Sequence, residues 1–503
     1  MTARISPVDT DPHPYFRVYS AGNFGEVAPE RLSPMSWSLV GEPMERGSRA
    51  LMRRLYGRST WAEGSHFVFL GYFGCRPYHN LAAYCHLARN IVGFEPQDVT
   101  DAYFEGVHVP DEVESLRVAK PRRWAGAAAF LWLLRDIGPR LRRQEERVGE
   151  LERGLRAAVT TNNPVALSGV LRAAKPVLDE AWELHMFASA GLVPANALQR
   201  KAYRKLMRNG EEIAQWLRRP RELVWDRLHD AAATGDPFGP GHFLDTSFYE
   251  VADHTEPWRE FRVRHKPAAT PIGERPVALL DPAEALRGML SPWRDRAVRA
   301  LAVTVGELMA GREHTKSLAM RTLHVYRRLL PALAPALGVG DDVWPYLTVD
   351  EFADLATDPA AADRAAARAA ACRRALRVPM PEHLDLTAGD GVVRPWQSDV
   401  PVVARRGVAP GIGVGVACSP EDDLPDGPVV LVCSSADADI APLLPYAAGV
   451  LSERGSDMSH IAILSREYGV PCVVGYPGAA SLPAGTRVSV NGSTGEVIIL
   501  DQH

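Results

Sequence analysis

The sequence predicts a multidomain protein, with a mostly α-helical N-terminal region followed by a C-terminal α/β unit of the β/β/α kind. Three observations carry this prediction. The chain has 503 residues, more than one hydrophobic core usually organises. From about 120 to 230, and again from about 282 to 376, apolar residues recur at spacings of three and four, as in "WAGAAAFLWLLRDIGPRLRRQEERVGELERGLRAAV". Beyond about 390 the texture changes to short β-branched runs, "PVVLVCSS", "PCVVGY" and "RVSVNGSTGEVIIL", separated by Gly, Pro and Asp.

In chain order, residues 1 to about 60 mix loop signals, "GNFGEVAPERLSPMSW", with a helix start in "EPMERGSRALMRRLY". The helical stretches that follow read as a bundle, interrupted at 234–261 by the loop-rich "TGDPFGPGHFLDTSFYEVADHTEPWREF". The tract "DPAAADRAAARAAACRRALR" at 358–377 is low in complexity, but alanine and arginine are both strong helix formers, so it reads as a solvated helix. Residues 1–390 are thus assigned to a helical domain, 391–406 to a Pro-, Val- and Arg-rich linker, and 407–503 to the α/β unit, with helix candidates at 438–447 and 459–468.

Composition excludes several function classes. Lys and Arg number 57 against 61 Asp and Glu, a formal net charge of -4, so no global basic field recommends a nucleic-acid partner. No signal-peptide plan opens the chain and no run of about 18 apolar residues could span a bilayer, so a cytoplasmic location without membrane contact is expected. The six cysteines, Cys75, Cys85, Cys372, Cys418, Cys433 and Cys472, show no metal-ligand spacing and read as reduced packing residues, with no metal site expected.

The densest chemistry lies in "LSERGSDMSHIAILSREYGVPCVVG", Leu451 to Gly475. Ser456, Asp457 and Ser459 are cap-type residues, an apolar face follows at Ile461, Leu464 and Tyr468, and Gly469 suits the C′ position, so His460 falls in a helix's first turn. There, free backbone N–H groups and the positive dipole end can hold a phosphate, and the same field keeps the imidazole neutral and nucleophilic. On these residues alone two readings stand: a phosphocarrier histidine, or a polar first-turn residue without chemistry.

The stretch "ERGSDMSHIAILSREYGVPCVVG" resembles the signature of the mobile phosphohistidine domain of the phosphoenolpyruvate-utilising enzyme family, which includes phosphoenolpyruvate synthase, pyruvate phosphate dikinase and rifampin phosphotransferase. "GVAPGIGVGVA" at 407–417, "VVLVCSSADADIAPLLPYAAGVLSE" and "GTRVSVNGSTGEVIIL" extend the resemblance over about 400–500. Ser456 departs from it, since the family usually has a second glycine after Gly455. The resemblance implies a swivelling phosphohistidine domain with His460 as carrier, and Gly455, Ser456, Ser459 and Arg466 around it. More loosely, "GNFGEVAPERLSPMSWSL" at 22–39 and "DVWPYLTVDEF" at 342–352 resemble the acceptor region of rifampin phosphotransferase and its relatives.

In that family an ATP-grasp domain charges the histidine, and no such domain or Walker motif is recognised here. The expectation is a split system. An ATP-grasp protein, carrying ATP and Mg2+, would phosphorylate His460 in trans, while this chain binds no cofactor itself and supplies acceptor pocket and carrier. The substrate would be a small organic hydroxyl compound. His242 on "FGPGHF" is the first candidate base, and Arg312, Lys316 and Arg321 on "GREHTKSLAMR" form either a solvated helix face or an anion clamp. Trp37 and Tyr78 are candidate substrate contacts or core residues. Arg466 is placed to pair with a carboxylate or to meet phosphate. Two other functions stay open: phosphorylation-driven dehydration or condensation in natural-product metabolism, and a non-catalytic interaction protein that retains the carrier fold.

Overall fold

The computed structural model describes residues 9–22, 24, 31–57, 67–87, 96–104, 123–207, 292–358, 360–396, 405–434, 438–456 and 459–501. The N-terminal unit opens with strand β1 (Val18–Ser20) and helix α1 (Pro34–Tyr56), then the hairpin β2 (Leu70–Phe73) and β3 (Arg76–His79). Helices α2 (Leu81–His86), α3 (Pro96–Tyr103), α4 (Arg123–Thr160), α5 (Pro164–Met207) and α6 (Pro292–Leu333) follow, then α7 (Val349–Ala353) and α8 (Ala361–Ala375). Strands β4 (His383–Asp385) and β5 (Arg394–Pro395) close the unit.

Local chemistry fixes several of these ends. Ser33 caps α1 by accepting the Ser36 N–H, and Thr348 and Glu351 form a reciprocal capping box at α7. The long helices α4, α5 and α6 pack together, with α1 laid against α5. They share one extended core that includes Trp182, Leu323, Tyr326, Leu329 and Trp344.

The N-terminal region also contains a five-stranded antiparallel sheet, ordered β2-β3-β1-β4-β5, which the reading of a mostly helical region did not include. Its central pairing joins Ser20 to His383 across most of the chain. "GYFGCRPYHNL" forms the β2–β3 hairpin, with Cys75 at φ +64° in its turn. Pairing continues through Arg394 and Pro395, inside the segment read as linker. The Ala/Arg tract forms α8, as its propensity requires.

The C-terminal unit is a curled seven-stranded mixed sheet, ordered β12-β11-β7-β8-β9-β10-β6. Its strands are β6 (Arg406–Ala409), β7 (Ile412–Cys418), β8 (Val429–Cys433), β9 (Ala447–Ser452), β10 (Cys472–Val474), β11 (Arg487–Asn491) and β12 (Glu496–Asp501). Strands β7 to β10 are parallel neighbours, while β6, β11 and β12 pair antiparallel. A 3-10 helix at Ala438–Tyr446 connects β8 to β9, and α9 (His460–Tyr468) connects β9 to β10.

Strand β8 shows why the sheet reads as a nearly unbroken apolar run: both of its faces are covered. Val429, Leu431 and Cys433 point into a cluster with Ile440, Leu444, Ile461 and Leu464 of the helices. Val430 and Val432 join Leu451, Val473, Val488, Val490 and Val497 on the opposite side. All six cysteines are free and buried. No described helix is long and apolar enough to cross a membrane.

Candidate functional site

The four parallel strands end on one side of the sheet, and the segment that leaves β9 there leads into α9. Loops at the carboxyl ends of parallel strands are where open α/β sheets place their ligand sites. The first residues of the loop stay paired, with the Glu453 N–H bonded to the Cys433 carbonyl and the Arg454 N–H to that of Ser434, each at 3.0 Å. The chain then turns at Gly455, whose φ of +138° is a region that side-chain-bearing residues rarely adopt. A Cβ at this position would also meet Val474 at 2.9 Å and the Ser459 hydroxyl at 3.2 Å, so Gly455 is required twice over.

Helix α9 begins at His460, as the cap residues require, and ends at Gly469, whose φ of +64° gives the left-handed C-terminal closure. Ser459 is the N-cap residue in extended conformation, but its hydroxyl makes no cap hydrogen bond. It donates instead to the Ser456 carbonyl at 2.8 Å. The first-turn amides of α9 are therefore not consumed by the Ser459 side chain, the arrangement in which a helix N-terminus accepts an anion. Ser456 is fully buried, and among the described residues its hydroxyl has no hydrogen-bond partner. Arg466 turns away from this end of the helix and donates from Nη1 to the Val408 carbonyl at 3.0 Å, tying α9 to β6.

The other sequence-predicted residues lie in the N-terminal unit. Trp37 is buried and stacks on Tyr72 with centroids 4.9 Å apart, a core role. Tyr78 is buried, donates its hydroxyl to the Pro381 carbonyl at 2.8 Å, and has its pKa pushed up by burial. Arg321 is held in a two-pronged ion pair with Glu152, at 2.8 and 2.7 Å, and so is engaged by a carboxylate of α4. His242 lies outside the described residues.

Arg312 and Lys316 do not lie on a solvated face. They are 6% and 2% exposed, where α6 packs on α5. Beside them His185 of α5 has Nδ1 at 3.4 Å from the Arg312 carbonyl and 3.3 Å from the Thr315 hydroxyl. Burial, reinforced by the two cations, pulls the His185 pKa well below its usual value, so this imidazole is neutral.

Two further features escaped sequence reading. Glu45 of α1, buried, accepts the N–H groups of Val68, Phe69 and Leu70 at 2.8 to 3.1 Å together with Arg49 Nε at 2.8 Å, anchoring the start of β2. Glu382, next to β4, holds Arg76 of β3 at 2.8 Å and Arg454 of the α9 loop at 3.5 Å. Arg454 adjoins Gly455 in the sequence, but nothing local signals a partner 72 residues away.

Residues 425–495 match the family described as PEP-utilising enzyme, mobile domain. The chain is 32% identical over 260 residues to an uncharacterised protein of Mycobacterium tuberculosis, covering 46% of this chain and 29% of that protein. It is 30% identical over 203 residues to the rifampicin phosphotransferase of Streptomyces sviceus, covering 38% of this chain and 23% of the relative. Against the phosphoenolpyruvate-protein phosphotransferase of Streptomyces coelicolor it is 43% identical over 103 residues, or 20% of this chain and 18% of the relative. The matched segments thus span less than a third of the length of these relatives.

Proposed function

We propose, from the place of its C-terminal unit among the mobile domains of PEP-utilising enzymes, that this chain carries a phosphoryl group on His460 and delivers it to the hydroxyl of a small organic molecule. The observation that carries the reading is the start of α9: a histidine in the first turn of a helix left uncapped by the Ser459 side chain, at the carboxyl ends of parallel strands. The imidazole attacks a donor phosphoryl group, forming a P–N bond as the donor's P–O bond breaks. In the second step the substrate oxygen forms a P–O bond, the P–N bond breaks, and the substrate's hydroxyl proton passes to an acceptor-side base. His242 is proposed for that base. A phosphoramidate suits this role because its transfer needs positioning and charge stabilisation more than further covalent help.

The donor is proposed to be an ATP-grasp protein acting in trans, with ATP and Mg2+ bound there. The relatives named as phosphotransferases support the chemistry, and the partner rests on the expectation that this chain lacks a nucleotide site. Arg312 and Lys316 are proposed to place positive potential beside the acceptor, with neutral His185 next to them. Gly455, Ser456 and Ser459 shape the carrier loop, while Arg466 braces the helix from behind.

The test is product analysis with the charged chain and candidate hydroxyl compounds. A phosphate ester supports transfer. Free phosphate with loss of water supports instead a phosphorylation-driven elimination, and turnover by His460→Ala contradicts the carrier role altogether.

A further inference from the structure

Arg454 stands six residues before His460, on the same loop, and its guanidinium reaches out of its own unit to Glu382, the residue just before β4 of the N-terminal sheet. Glu382 is held in place on its own side. Arg76 Nη2 lies 2.8 Å from the same carboxylate oxygen, Oε2, that faces Arg454, and Arg76 Nη1 donates to the Met380 carbonyl at 3.4 Å. Tyr78 pins the neighbouring Pro381 carbonyl at 2.8 Å, and the adjacent His383 pairs with Ser20 Oγ at 3.0 Å. The acceptor-side half of the contact is thus a braced carboxylate on paired strands, with its side chain 22% exposed, whereas Arg454 is 49% exposed.

We infer that Glu382 is the docking residue through which the N-terminal unit receives the carrier loop, taking Arg454 as the loop's handle. The inference rests on the proposed function, since docking matters only if the loop delivers a group. The asymmetry of the contact fits that use. An exposed ion pair at 3.5 Å shifts a docked-to-undocked equilibrium by no more than roughly fivefold, so it biases the loop toward the acceptor unit without locking it there. The pairing of Glu382 with Arg76 keeps the carboxylate aimed outward when Arg454 leaves, so the receiving end does not need to be rebuilt for each cycle.

The test needs no donor and no substrate. In the full chain, Glu382→Cys combined with Arg454→Cys should form a bismaleimidoethane cross-link, whose span suits two positions held apart by long side chains that meet at their tips better than a direct disulfide does, with the linked peptide identified by mass. It should form at least tenfold faster than the pair Glu382→Cys and Asp426→Cys, because Asp426 is exposed at the opposite end of the parallel strands. Equal rates overturn the inference. A second measurement isolates the charge: by small-angle scattering Arg454→Lys should keep the radius of gyration of the native chain, and Arg454→Glu, which faces Glu382 with a like charge, should enlarge it. No difference between the two variants also overturns it. Either failure leaves the phosphoryl chemistry of His460 untouched, since that is read by labelling of the histidine.

Discussion

Among the described residues, the buried polar groups of the N-terminal unit include Glu45, His79, His86, Arg140, His185, Arg312 and Lys316, whereas those of the C-terminal unit are Ser452, Ser456, Ser459, Ser465 and Thr486. The first set titrates or carries charge, and the second consists only of hydroxyls. Three of the five hydroxyls lie between the end of β9 and the start of α9, so the C-terminal unit keeps its buried polarity where the backbone must be shaped. The helical unit instead threads ionisable groups through its interior, and its stability must depend on pH. The comparison therefore separates a unit whose chemistry is set by backbone geometry from one whose chemistry is set by burial of charge.

The largest expected effect would come from the apolar layers of the C-terminal unit. Leu431→Ala, at the centre of β8 and covered on both sides of the sheet, should cost about 4 kcal/mol. Faster hydrogen exchange at the β8 and β9 amides, with the helical unit unchanged, would check both the size and the separateness of that core. Next comes acid. Burial alone lowers the His79 pKa from 6.5 to about 3, so below pH 6.5 the unfolded chain takes up a proton that the folded one refuses. Stability from this residue is whole above pH 6.5 and falls by about 1.4 kcal/mol per pH unit below it, which is about 3 kcal/mol by pH 4.5, until the loss levels off near pH 3. Denaturation curves at pH 8 and pH 4.5 should converge for His79→Phe relative to the native chain.

A smaller effect, about 2 kcal/mol, is expected for Glu45→Gln, which keeps the shape but weakens the acceptance of three backbone N–H groups and Arg49. The thermal midpoint of the helical unit reads it. The smallest is at Ser456, whose buried hydroxyl lacks a partner among the described residues, so Ser456→Ala should be neutral or stabilising by about 1 kcal/mol. Lower stability would mean that the hydroxyl has a role in the folded state.

The same contrast explains what the sequence revealed. The start of α9 at His460, its closure at Gly469 and the β-branched run of β8 were legible because caps and short apolar runs are local properties. The sheet of the N-terminal unit was not, because Ser20 pairs with His383 and neither segment carries a signal for the other. Of the two readings of Arg312 and Lys316, the solvated face failed for a related reason: spacing along α6 shows that they share a neighbourhood, but not that α5 covers it. The link between Glu382 and Arg454 crosses the two units and had no local mark at all.

The central claim is that His460 carries the phosphoryl group, and the most direct measurement asks which of the 15 histidines is modified by a small phosphoryl donor. Incubation of the full chain with potassium phosphoramidate, followed by peptide mapping and 31P NMR, should place an acid-labile, base-stable phosphoryl group on His460 ahead of every other histidine, with the signal absent from His460→Ala. Modification of other histidines while His460 stays bare would contradict the claim and leave α9 as a helix that merely begins with a histidine.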